Sequence, residues 1–249
     1  YQDQRSGIFD VEFEQSQIKR ISNQLGISED LIKLEPIVIG GMYPAHMEDR
    51  VLLNWPEVPQ ILIDTILAVE DQNFFNHYGV SLKSISRAFL KNIQAGEVEQ
   101  GGSTITQQLA KSLFFSSEQT IRRKVMEAIA SLLIEFHYSK EEILLAYIND
   151  VFLAQSGKRA IHGFGMGAQH FFGTSIRNLS TDQVAMLVGM LKGPSLYNPR
   201  RNPVNATERR NLVLKVLNKS NKIDDSNFEN LKKKQLGLSA PNYRTETKY

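Results

Sequence analysis

The chain has 249 residues, 41% of them hydrophobic and 22% charged, with a formal net charge of +2 and no cysteine. That length can bury a large core, and the composition is ordinary for a folded protein. The charge is too small to point to nucleic acid, so any anion site must come from local clustering, and the missing cysteines exclude disulfides and thiolate metal sites. No apolar run approaches the roughly 18–20 residues that span a bilayer, no signal peptide opens the chain, and both ends read as cuts from something longer.

Residues 1–55 differ in character from the rest. Ile8, Phe9, Val11 and Phe13 form a short run with β character, and Ile37-Val38-Ile39 and Val51-Leu52-Leu53 read as two strands. Gly40-Gly41 and Pro44 between those two predict a hairpin or β-ribbon with a longer loop. Ser28 to Lys33 fits a single helical turn, so the region is expected to be a linker or part of an accessory β-rich region.

From 56 to about 220 the pattern is helical. Pro59 suits the first turn of a helix over 58–69, with Leu62, Ile66 and Val69 on one face. That helix delivers Glu70, Asp71, Phe74, Phe75 and His77 to its exit, where Gly79 allows a turn. A carboxylate beside aromatic rings loses hydration, which favours its neutral form and suits it to proton transfer near neutral pH. A polar helix end explains the same residues equally well.

Ser81 precedes Leu82, Ile85, Phe89 and Ile93, and Gly96 stops that run. With Lys83, Arg87 and Lys91 around its apolar residues, the segment 80–99 fits either a core helix or one lying in a lipid headgroup layer. Next come Gly101-Gly102-Ser103-Thr104, where the glycines let backbone approach a ligand and Ser103 can cap the following helix. Hydroxyls and amides at Ser103, Thr104, Gln107 and Gln108 suit a sugar or phosphate, although an ordinary cap needs the same residues.

A helix is expected from Ser117 to about Tyr138, with Ile121, Val125, Ala128, Ile129, Leu132 and Phe136 in one apolar stripe. Glu127 lies roughly opposite, at i+4 from Arg123 and i+3 from Lys124, so the three can meet. An exposed salt bridge is the bland reading, but Ala130 and Ile134 share that face and argue for partial burial. If this helix packs near Glu70, two carboxylates and the cations Lys111, Arg123 and Lys124 share a cleft suited to transfer with an anionic leaving group. Further helix starts are marked by capping boxes at Ser116 with Gln119, Ser139 with Glu142 and Ser180 with Gln183. Asn205 with Glu208 opens one more helix through Leu217, and Lys232-Lys233-Lys234 reads as a solvated face. The expected fold is mainly α with a small N-terminal β region.

Four blocks in order resemble one family: Glu-Asp-x-x-Phe-x-x-His-x-Gly at 70–79, Gly-Gly-Ser-Thr-Ile-Thr-Gln-Gln-Leu-x-Lys at 101–111, Arg-Lys-x-x-Glu at 123–127 and Lys-x-x-Ile-Leu-x-x-Tyr-Ile-Asn at 140–149. They resemble the peptidoglycan glycosyltransferases (family 51), over about 56–215. Gln155-Ser156-Gly157 and the stretch from Gly189 to Pro199 are most similar to class A penicillin-binding proteins of the 1b subgroup.

The resemblance implies a lysozyme-like α fold in two lobes, with an apolar region against the membrane. It assigns 56–220 to the glycosyltransferase domain and 221–249 to a linker toward a transpeptidase domain. The implied reaction is polymerisation of lipid II into β-1,4 glycan with release of undecaprenyl diphosphate, on the periplasmic face of a bacterial inner membrane. By position, Glu70 would be the general base and Glu127 would position the donor diphosphate or a divalent cation, Mg2+ or Mn2+. No tightly bound cofactor is expected. Lys111, Arg123 and Lys124, with Ser103, Thr104 and Gln108, would hold phosphates and sugars; Lys192 would add a contact, and Asp71, Phe74 and His77 would shape the site. Implied partners are the growing glycan, the membrane surface, an outer-membrane lipoprotein activator and proteins of the division or elongation machinery. Three departures stand out: His162-Gly163 where the family has Arg-Gly, His170-Phe171-Phe172-Gly173 for its Tyr-Phe-Gly, and Ala154 for a glycine. Two other classes remain, a lytic transglycosylase or lysozyme-like hydrolase and a non-catalytic glycan- or lipid-binding scaffold.

Overall fold

The computed structural model describes residues 9–14, 17–23, 48–81, 103–115, 120–157 and 159–240. The chain divides into two units, Tyr1–Met42 and Tyr43–Tyr249. In the first, β1 (Phe9–Glu14) pairs antiparallel with β2 (Gln17–Asn23), from Phe9 opposite Asn23, with a register shift between Glu12 and Phe13. The alternating Phe9, Val11 and Phe13 announce β1. The expected strand at Ile37–Ile39 and the helical turn at 28–33 lie outside the described residues.

The second unit takes in residues expected to precede it. Glu48–Arg50 forms β3, which runs parallel to β5 (Arg159–His162); β5 also pairs antiparallel with β4 (Phe152–Ser156). Val51-Leu52-Leu53 is not a strand. Asn149 takes both backbone groups of Leu53: the Leu53 amide donates to Asn149 Oδ1 at 2.8 Å, and Asn149 Nδ2 donates to the Leu53 carbonyl at 2.9 Å.

The helices of this unit are α1 (Gln60–Glu70), α2 (Ile105–Phe114), α3 (Ile121–His137), α4 (Lys140–Asp150), α5 (Gly163–Phe172), α6 (Thr181–Met190), α7 (Pro203–Lys219) and α8 (Asp225–Lys233). Local chemistry accounts for most of their ends. The boxes predicted for α4 and α6 form, with the Ser139 amide donating to Glu142 at 2.8 Å and the Ser180 amide to Gln183 at 3.0 Å. Three starts shift. Pro59 caps α1 from outside its first turn. Thr104, not Ser103, caps α2, accepting from the Gln107 amide at 3.1 Å, and Pro203 opens α7 ahead of Asn205. Thr120 caps α3; the box at Ser116 and Gln119, like the helix predicted after Ser81, lies outside the described residues.

The core gathers α1, α4, α5 and α6, with Leu62, Ile66, Ile143, Phe164, Phe171 and Leu187 all buried. The segment after 220 is packed rather than a free linker, as far as residue 240. Buried Arg210 donates to the carbonyls of Lys232 (3.0 Å) and Lys234 (2.7 Å), pinning the end of α8, and Lys234 pairs with Asp182 at 3.2 Å. Beyond it, the Ser239 amide donates to the Phe171 carbonyl at 2.9 Å.

α3 departs most from expectation. Its apolar stripe faces outward, with Ile121 and Phe136 more than four-fifths exposed and Val125, Ile129 and Leu132 about half. Arg123, Glu127, Ser131 and Glu135, spaced four apart, form the inward face. α2 presents polar partners there: Ser103 accepts from Lys124 at 2.8 Å and Thr106 donates to Glu135 at 2.6 Å.

Candidate active site

Glu70 sits in the last turn of α1, half-buried, and accepts a hydrogen bond from Gln108 Nε2 of α2 at 2.9 Å. Burial is the main influence on its carboxyl and pushes its pKa above the usual carboxylate range. The Gln108 bond and the positive charge of Arg209 on α7 pull it back, and the neighbouring Asp71 charge raises it further. Burial thus favours the acid form of Glu70 more than water would, while one neutral amide donor supports its ionised form.

The adjacent carboxylate does something else. Asp71 turns into the start of α2, where its Oδ2 accepts from the Ile105 amide at 3.2 Å and pairs with His77 Nε2 at 2.9 Å. Phe74 is buried in the core, with the Lys140 ammonium 4.4 Å from its ring centre; that amine also donates to the His77 carbonyl at 2.6 Å and Glu135 at 2.7 Å. Thr104 is buried too, donating to the Gly79 carbonyl at 2.6 Å. Gly79 is obligatory on two counts: its φ is +75°, and a Cβ there would meet the Ser131 carbonyl oxygen at 2.7 Å. Asp71, Phe74, His77 and Thr104, all expected at the site, lock the 71–79 loop against α2 and α3.

Glu127 is fully buried. Its Oε1 pairs with Arg123 Nε at 2.9 Å and its Oε2 with Lys124 Nζ at 2.7 Å. Lys124 remains half exposed and reaches Ser103, so the cluster presents positive charge at the start of α2. With both oxygens held by cations and no exposed surface, Glu127 does not fit a divalent cation, which takes carboxylate oxygens for itself. It serves as the counter-charge that fixes Arg123 and Lys124. Among the described residues, no group of three His, Asp or Glu side chains is arranged to hold a metal ion.

The segment from Ser103 into α2 links the two carboxylates, with Gln108 on Glu70 and Ser103 on the Glu127 cluster. Lys111, one turn beyond Gln108, is exposed, as is Lys192 just after α6. His162 donates from Nδ1 to the Asp150 carbonyl at 2.8 Å, which holds the ring where the family pattern has an arginine. Two residues at the site were not anticipated. Arg209 bonds the Gly189 carbonyl at 3.2 Å and acts on Glu70 from α7. Tyr147 donates to Gln108 Oε1 at 3.2 Å. Tyr147 had a signal, since a phenol within the apolar face Ile143, Leu144 and Ile148 needs a buried partner. No comparable pattern marks Arg209.

The sequence model of the family described as Transglycosylase matches residues 38–218. Among curated proteins, the chain is 44% identical over 229 residues to penicillin-binding protein 1B of Haemophilus influenzae, covering 92% of this chain and 29% of that protein. The corresponding Vibrio cholerae protein is 48% identical over 186 residues, covering 75% of this chain and 24% of the relative. Penicillin-binding protein 1B of Escherichia coli is 46% identical over 206 residues, 83% of this chain and 24% of the relative. The chain therefore spans less than a third of the length of these relatives.

Proposed function

The chain belongs to the transglycosylase family, and from that premise we propose that it is the glycosyltransferase module of a class A penicillin-binding protein of the 1b type, polymerising lipid II. The observation that carries the reading is the placement, along one segment from Ser103 to Gln108, of a carboxyl whose acid form is favoured by burial and a cation cluster organised by a buried counter-charge. Glu70 takes the proton from the 4-hydroxyl of the acceptor sugar. That oxygen attacks the anomeric carbon of the growing chain from the face opposite the diphosphate, forming a β-1,4 bond. The bond to the diphosphate breaks, and its electron pair leaves with undecaprenyl diphosphate. Lys124 and Arg123, fixed by Glu127, take up the developing negative charge, and exposed Lys111 and Lys192 add to the positive field.

A hydrolase that cleaves finished glycan needs no cation cluster for a diphosphate, which favours transfer over cleavage. The exposed apolar face of α3 supports a membrane surface as the working location, because a lipid-linked substrate is met there. Among the described residues no helix is long and apolar enough to cross a membrane. A transpeptidase domain of the same protein and a periplasmic setting belong to this proposal.

The test is glycan polymerisation from labelled lipid II, wild type beside Glu70→Gln, in detergent. Polymer from wild type and none from a folded variant supports the reading. Fragments released from finished glycan, or a variant as active as wild type, would overturn it.

A further inference from the structure

We propose that Tyr147 is a positioning residue: its hydroxyl decides which end of the Gln108 amide faces Glu70. The inference rests on the reading of Glu70 as the base. A glutamine amide has nearly the same shape either way round, yet its two ends act oppositely on a carboxyl. With Nε2 toward Glu70 it donates to the ionised form and favours it; with Oε1 there it repels that form. Something must choose between the two.

Tyr147 makes the choice from behind. It is 2% exposed, on the core face of α4, and its hydroxyl donates to Gln108 Oε1 at 3.2 Å. Burial, and then the nearby Glu70 charge, push its ionisation well above the usual phenol range, so it stays an O–H donor wherever the enzyme works. A donor at one end of the amide leaves the other end, also a donor, for Glu70 at 2.9 Å. The result is a directed chain of hydrogen bonds, Tyr147 to Gln108 to Glu70, running through α4, α2 and α1.

Other charges act on Glu70 without doing this job. Arg209 reaches it from α7 and favours its ionised form, while Asp71 beside it opposes ionisation. Asp71 is itself committed to the Ile105 amide and His77. Neither holds the far end of the Gln108 amide.

The experiment compares wild type, Tyr147→Phe, Gln108→Ala and the double variant for polymerisation across pH, with Glu70→Gln as reference. Phenylalanine keeps the buried ring, so Tyr147→Phe is expected to fold. Its turnover at neutral pH should fall roughly two- to tenfold, the worth of one neutral hydrogen bond, with KM little changed. The acid limb of its turnover profile should move to higher pH, because an unanchored amide supports ionised Glu70 less well. NMR titration of the 13C-labelled Glu70 carboxyl should show the same upward movement without turnover. The double variant should be no worse than Gln108→Ala alone, since Tyr147 acts through Gln108. An unmoved limb and titration in Tyr147→Phe, or losses that add in the double variant, would overturn this inference while Glu70→Gln stays silent and the base reading stands. A polymerising Glu70→Gln would bring down both.

Discussion

Two carboxylates, at opposite ends of the polar surface of α2, are kept in the protein by contrary means. Glu127 is sealed off between Arg123 and Lys124, each of its oxygens against a cation. Glu70 has no such ion pair among the described residues; a neutral amide supports it, and burial presses it toward its acid form. The first arrangement holds two cations in place; the second supports a carboxyl by one neutral donor. This difference, more than the presence of two acids, separates an organiser from a base.

Replacing each acid by its amide should therefore have opposite consequences. Glu70→Gln is expected to lose about 10²–10⁴-fold in polymerisation rate, the usual worth of a general base. Its stability should not fall. A carboxyl with a raised folded pKa adds stability at acid pH, and that stability is lost as pH rises through the folded value. At neutral pH wild type carries the cost of a buried charge that the amide does not, so chemical denaturation should find the variant at least as stable. Against pH, wild type should lose ground to the variant above the ordinary carboxylate range.

Glu127→Gln should do the reverse. It removes the counter-charge of the almost enclosed Arg123, at a cost of about 2–4 kcal/mol, toward the low end for a buried pair because Lys124 is half exposed. Urea denaturation measures it, and an unchanged midpoint would mean the cluster is not the clamp described here. Gly79→Ala should come next. The φ of +75° and the approach to Ser131 predict a loss of about 1–3 kcal/mol, with reduced activity as the 71–79 loop shifts against α2. Smallest in stability is Lys124→Ala, expected within about 1 kcal/mol of wild type because the amine is half in solvent. Its effect should appear instead as weaker binding of the diphosphate-bearing donor, measured by KM.

The same contrast explains what could be read in advance. The exit of α1 carried its meaning locally: an apolar face, then acids, aromatics and a glycine within ten residues. The meeting of Glu127 with Arg123 and Lys124 was also local, set by one helical turn. Which way α3 faces was not. Its apolar stripe argues for burial on its own, yet the polar face turns inward, where it meets the hydroxyls of Ser103, just before α2, and Thr106 on α2. Long-range pairings were hidden for the same reason. β3 finds its partner in β5 more than a hundred residues on, and Leu53 is held by Asn149, so a locally strand-like run at 51–53 stays outside the sheet. Arg209 reaches Glu70 only because α7 folds back onto α1, a placement no spacing within α7 encodes.

The most direct test puts activity and stability on one sample: Glu70→Gln and Glu127→Gln, each assayed for lipid II polymerisation and for urea denaturation at neutral pH. The account predicts a Glu70→Gln protein that is silent yet at least as stable as wild type, beside a Glu127→Gln protein that unfolds at clearly lower urea. An active Glu70→Gln, or one destabilised as much as Glu127→Gln, would contradict the division of labour between the two acids.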